Sequence, residues 1–200
     1  MTYLRRKIDA FLEQWKSDSG KKPLIVKGSR QVGKTESIRR FGFANYDSVI
    51  EINFVEEPKY KSIIEDGYSA ASIVRNISLL DPAKRFVEGK TLLFFDELQE
   101  FPEIATALKF FKQDARFDVI CSGSMLGINY QRIESNSVGH KTDFEMRSLD
   151  FEEFLWAKGY DDSIVDEMLT HLIEARPFTN VQHKALMDVF LDYCALGGMP

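Results

Sequence analysis

The chain has 200 residues, a 44% apolar share and sixteen phenylalanines, enough to bury the core of one α/β domain with or without a small appendage. Its formal charge of -5 excludes the covering positive field that non-specific nucleic-acid binding needs, although a local basic patch would not alter that balance. Cys121 and Cys194 fall in no metal-ligand or disulfide spacing, no run approaches the roughly 18 apolar residues of a membrane span, and the N-terminus lacks a secretion signal's apolar core. These features predict a soluble, reduced, cytoplasmic protein without a membrane partner.

Leu4, Ile8, Phe11, Leu12 and Trp15 recur at helical spacing, with Arg5, Arg6, Lys7 and Glu13 on the other faces, and predict an amphipathic first helix. The run Leu24-Ile25-Val26 reads as a buried strand, and from Lys34 the pattern turns helical through Phe41. A second strand is expected at Val49 to Phe54, followed by helical segments near Tyr60 to Glu65 and Ala70 to Leu80. Thr91 to Phe95 has the continuous apolar character of a central strand buried on both faces. Pro102 opens the next helix, whose inner side would be Leu108, Phe111 and Ala115; further strands are expected at Val119 to Cys121 and Thr142 to Met146.

Beyond that point the pattern is helical. Asp150 with Glu153, and Thr179 with Gln182, have capping-box spacing, and a helix near Ile164 to Ala175 lies between them. Trp156 and the aromatic stripe of the last helices read as core. The alternation over residues 1–148 predicts an α/β core, a mostly parallel sheet with helices on both faces, followed over 149–200 by a helical region.

Gly28-Ser29-Arg30-Gln31-Val32-Gly33-Lys34-Thr35 fits G-x-x-x-x-G-K-[ST] and lies where the motif has meaning, after a predicted strand and at the opening of a predicted helix. Glycines at the fixed positions allow backbone geometries and close approaches that a Cβ forbids. The intervening N–H groups can then form a nest for a β-phosphate at a helix N-terminus. Lys34 adds a full positive charge toward the β- and γ-phosphates, and the Thr35 hydroxyl is a Mg²⁺ ligand. Thr91-Leu92-Leu93-Phe94-Phe95 ends in Asp96-Glu97, which puts two carboxylates at the sheet edge where nucleotides bind. Asp96 is the expected partner of Mg²⁺, direct or through water, and Glu97 the expected general base for an attacking water. Nucleotide kinases with such a loop usually lack the second acid, so hydrolysis is favoured over transfer.

The strand Val119 to Cys121 runs into Ser122-Gly123-Ser124, where Ser122 or Ser124 could hydrogen-bond the γ-phosphate or the water. Arg30, Arg132 and Arg147 are candidates for neutralising charge in transfer, and Gln99 and Glu100 could orient Glu97 or meet a partner. His140, His171 and His183 share no ligand spacing.

These residues together resemble the prokaryotic AAA-like ATPases whose full-length members carry a C-terminal domain of nuclease-like fold. The resemblance runs from Pro23-Leu24-Ile25-Val26 through the loop, Ile52-Asn53-Phe54, Phe95-Asp96-Glu97-Leu98-Gln99 and Ser122-Gly123-Ser124. Its more specific stretches are Asp150-Phe151-Glu152-Glu153-Phe154-Leu155-Trp156-Ala157 and the final Gly197-Gly198-Met199-Pro200. It implies a five-stranded parallel core with the Ser122 strand inserted between the loop strand and the acid strand, and a helical lid after it. Family members often have an arginine where His140 stands, with Lys141 as a neighbouring substitute, and a proline at Ser148; they usually continue past Pro200, so this chain is expected to be truncated. The resemblance implies Mg²⁺-dependent ATP hydrolysis that drives or gates a conformational change. The alternative is a nucleotide-dependent switch with negligible turnover, associated with nucleic acid through a further domain. A homo-oligomer or a protein client is compatible with either. The absence of an Asn-Lys-x-Asp run favours adenine over guanine.

Overall fold

A computed structural model describes residues 3–124 and 139–199 of the chain. Helix α1 (Lys7–Ser17) precedes β1 (Leu24–Lys27), α2 (Lys34–Asn45) and β2 (Ser48–Asn53). A 3₁₀ segment (Pro58–Ile64) leads to α3 (Ala70–Leu80), β3 (Thr91–Asp96), short 3₁₀ turns, α4 (Leu108–Asp114) and β4 (Asp118–Gly123). The described chain resumes with β5 (Thr142–Glu145), α5 (Phe151–Ala157), α6 (Asp162–Ile173) and α7 (Asn180–Leu196).

The five strands are all parallel and ordered β2-β3-β4-β1-β5. The strand that ends at Gly123 therefore sits between the loop strand and the acid strand, as the resemblance implied. Strand alternation divides the core into two layers. Leu24, Val26, Leu92, Phe94 and Ile120 pack with Ile8, Leu12 and Trp15 of α1 and Ile38 and Phe41 of α2. Ile25, Leu93, Phe95, Val119 and Cys121 pack with Ile73 and Ile77 of α3 and Leu108 and Phe111 of α4. Every residue of β3 is buried, which is what its unbroken apolar run requires. Phe94 and Phe95 each contribute burial worth about 1.5–3 kcal/mol, one to each layer.

Three expectations are corrected. The first helix begins at Lys7, because the Asp9 carboxylate accepts the Arg6 N–H at 2.9 Å and starts the first turn there. Arg6 is left in extended backbone and is buried rather than turned outward. Ala115 is not on the inner face of α4; it ends that helix in a left-handed conformation (φ 53°) and is exposed. The last helices are not a core. Phe154 and Leu155 of α5 are buried, but Phe190, Leu191 and Leu196 of α7 are 44%, 57% and 70% exposed. Trp156 is half-buried, with the Arg5 guanidinium 4.1 Å over its ring.

Both predicted capping boxes form: Glu153 N–H donates to Asp150 Oδ1 at 3.0 Å, and Gln182 N–H to Thr179 Oγ1 at 3.3 Å. Phe151 and Phe154 meet Phe190 and Tyr193 of α7 with ring centroids 5.2–5.7 Å apart. The Gly197-Gly198-Met199 end returns to the connector before α5, where Leu149 N–H donates to Gly198 O at 2.6 Å and Tyr193 Oη–H to Leu149 O at 2.9 Å.

Candidate functional site

The loop between β1 and α2 lies at the C-terminal edge of the sheet. Its start is crowded: Met146 N–H donates to Lys27 O at 2.7 Å, and a Cβ on Gly28 would fall 2.0 Å from Met146 O. Gly28 is needed because the backbone of Met146, the residue after β5, lies directly against it. Gln31 (φ 62°) and Gly33 (φ 92°) are both left-handed, the second conformation being open to glycine at no steric cost. Val32 is fully buried among the α1 and α2 core residues and anchors the loop, while Ser29, Arg30 and Gln31 are exposed on its crest. Helix α2 starts at Lys34, so the unsatisfied N–H groups of its first turn lie beside the loop.

Lys34 Nζ donates to Gly28 O at 3.1 Å and Ser29 O at 2.6 Å, so its ammonium closes over the loop carbonyls. Burial holds this amine below the usual lysine range, opposed by the carboxylates of Glu97 and Asp96 and reinforced by Arg30. A bound polyanion would offset that desolvation.

Asp96 is the centre of the polar network. Its Oδ2 accepts Thr35 Oγ1–H at 3.1 Å and Asn53 Nδ2–H at 3.3 Å; its Oδ1 accepts the Glu97 N–H at 3.0 Å and the Ser122 hydroxyl. Four donors on one 4%-exposed carboxylate fix its direction. Glu97 follows in a left-handed conformation (φ 55°, ψ 48°), an uncommon state for a residue with a Cβ and of the kind that clusters at functional sites. Its side chain meets the amide of Gln99.

A cleft of about 720 Å³ opens over these groups, lined by Arg30, Lys34, Thr35, Asn53, Glu97 and Ser124 among others. That volume lies within the range of small-ligand sites. A magnesium ion fits the donor set at Thr35 and Asp96, one hydroxyl and one carboxylate. Among the described residues no group of three or more His, Cys, Asp and Glu offers an all-protein cage, and Mg²⁺ ordinarily takes its remaining ligands from water and phosphate oxygens.

Lys34, Thr35, Asp96 and Glu97 thus converge as the sequence suggested. The two serines separate: Ser122 is fully buried with its hydroxyl on Asp96, and Ser124, one residue past the strand end, reaches the cleft. Arg147 is not brought in; its side chain is 79% exposed and pairs with Glu145 at 2.9 Å. Lys141 precedes β5 beside the N-terminal end of β1, opposite the loop, and pairs with Asp143. Arg132 lies outside the described residues.

Two participants escaped sequence reasoning. Asn53 ends β2 in register with Asp96, and a polar residue closing an apolar strand was the available signal. Arg6 donates to Val32 O at 2.8 Å and Arg147 O at 2.6 Å, and its Nε lies 3.1 Å from Glu153 Oε1, an ion pair without hydrogen-bond alignment. It ties the phosphate loop to the connector before α5 and to α5 itself. Nothing in the local pattern marks it.

The parallel sheet in this order, with a G-x-x-x-x-G-K-T loop after its first strand and an acid at the end of β3, defines the nucleotide-binding fold of the P-loop class. The family model for the AAA domain matches residues 20–155, and the chain belongs to that family. No curated protein sequence matches it. Among solved structures it is similar to Drosophila ORC bound to DNA, at 14% identity and a TM-score of 0.50, over 94% of this chain and 53% of that one. It is also similar to C. elegans PCH-2, at 10% identity and a TM-score of 0.45, over 86% and 47%. The chain spans about half the length of these two. At such identities the ORC likeness speaks for the fold alone. Among the described residues no helix is long and apolar enough to cross a membrane.

Proposed function

We propose that the chain binds ATP with Mg²⁺ at Gly28 to Thr35 and hydrolyses it. The observation that carries this is the meeting of Thr35 Oγ1 and Asp96 Oδ2 at 3.1 Å, with Lys34 and Glu97 on the same cleft. The backbone of Gly28 to Gly33 and the Lys34 ammonium hold the β- and γ-phosphates, and Lys34 exchanges its contacts to Gly28 O and Ser29 O for phosphate oxygens. Thr35 and Asp96 hold the ion, which when bound neutralises charge on those oxygens. Glu97 accepts a proton from water as the water oxygen bonds to the γ-phosphorus. The bond from that phosphorus to the β–γ bridging oxygen breaks, leaving ADP and phosphate. Ser124 and Arg30, which line the same cleft, are assigned in this reading to the γ-phosphate. The helical region from residue 149 would move against the core formed by residues 1–148, with Arg6 as one mechanical link.

The test is phosphate release with ATP and with GTP, over a range of protein concentrations, for the parent, Lys34→Ala and Glu97→Gln. Turnover should favour ATP, vanish in Lys34→Ala, and fall by about 10²–10⁴-fold in Glu97→Gln with nucleotide binding retained. A dependence on protein concentration would report assembly. Binding without Glu97-dependent turnover would assign a switch instead. Absence of any calorimetric heat from purine triphosphates in a folded, Mg²⁺-supplied sample would refute both.

A further inference from the structure

Gln99 is a 6%-exposed amide on the short 3₁₀ turn Leu98–Glu100, immediately after the paired acids. Both ends of it are engaged. Its Oε1 accepts the backbone N–H of Ser124 at 3.0 Å, and its Nε2 donates to Glu97 Oε2. The orientation of the amide is fixed by the chemistry, since the Ser124 N–H can only donate and the Glu97 carboxylate, when ionised, can only accept. Ser124 is itself 5% exposed at the end of β4 and lines the cleft beside Glu97.

We propose that Gln99 is a positioning residue that holds the Glu97 carboxylate in place and ties it to the end of β4. The proposal rests on the reading of Glu97 as the base for water. Three physical points support it. Glu97 follows the strand in a left-handed conformation, so its side chain is not aimed by strand pleat and needs a partner to hold it. Gln99 supplies that partner from a buried position, where a hydrogen bond to a carboxylate is strong and its loss costly. The same amide spans to Ser124, so a shift of the β4 end reaches the base through two hydrogen bonds. Asp96 takes its side-chain donors from Thr35, Asn53 and Ser122 and shares only the backbone N–H of Glu97 with the base, so it does not depend on this amide. Base placement and metal-acid placement are therefore separable.

That separation supplies the experiment. Gln99→Leu removes both contacts. Gln99→Glu keeps the size and an oxygen for the Ser124 N–H, but replaces the donation to Glu97 by a second carboxylate that repels it. Both should lower kcat by about 10–100-fold, the scale of a misplaced reacting group, while KM and the directly measured Kd for Mg-ATP stay within about threefold of the parent. In a Glu97→Gln background, Gln99→Leu should lower the residual rate no further, because a base that is absent cannot be misplaced. Equal losses in both backgrounds would make Gln99 a general structural support and overturn the proposal. So would an unchanged kcat in the Gln99→Glu protein with an intact melting transition. If Gln99→Leu fails to fold, the Gln99→Glu protein decides alone. Failure of the underlying reading looks different: the parent itself would then show no turnover dependent on Lys34 and Glu97.

Discussion

Replacing Arg6 by methionine removes a guanidinium that touches three parts of the molecule at once. Its partner Glu153 is 6% exposed along the side chain and Arg6 itself 4%, so the pair is shielded from water. Breaking such a pair by removing one member costs about 3–5 kcal/mol, because the remaining charge stays buried. The carbonyls of Val32 and Arg147 also lose their charged donor, which places the expectation at the upper end of that range. A loss of about 4–5 kcal/mol is a large part of a typical domain's stability, and with urea slopes of about 1–3 kcal/mol/M the unfolding midpoint should fall by about 2 M. Urea denaturation followed by circular dichroism measures it. The double variant Arg6→Met/Glu153→Leu should recover part of the loss, since no charge is stranded. Recovery would be incomplete because Lys7 N–H and Asp150 N–H, at 2.8 and 3.2 Å from the Glu153 carboxylate, lose their acceptor. A cost below about 1 kcal/mol for Arg6→Met, the range of an exposed pair, would refute the claim that this contact is buried and binding.

Gly28→Ala should destabilise the fold by about 1–3 kcal/mol, as overpacking does, and weaken nucleotide binding, since the added methyl would lie 2.0 Å from Met146 O; thermal melts with and without Mg-ATP test both. In a native sample a thiol reagent should label exposed Cys194 and spare Cys121, whose thiol burial pushes far up, with Cys121 reacting only after denaturation. Lys34 carries a pH signature. Because its folded pKa lies below its unfolded value, the unfolded chain binds more protons between the two values and stability rises with pH through that window. Triphosphate binding needs the ammonium, so affinity should fall as pH climbs through the lowered value, with net proton uptake on binding that Lys34→Met abolishes; calorimetry in buffers of different ionisation heat reads the uptake.

What the sequence determined by itself is what neighbouring residues decide. The strands and most helices follow from apolar period, the loop from its glycines and Lys34, and the two capping boxes from an acceptor three positions ahead of its partner. These are short-range constraints, and they leave a pattern. Tertiary structure decided what each side chain meets across the fold. It buried Arg6 beneath a carbonyl 141 residues away, set Asn53 level with Asp96, turned Ser122 inward while leaving Ser124 in the cleft, and joined Gln99 to the end of β4. It also left Leu191 and Leu196 of α7 largely exposed and the Phe190 ring only partly covered by α5, though the spacing resembles that of a core helix. A periodic sequence says that a face can be buried, but only packing supplies the surface that buries it.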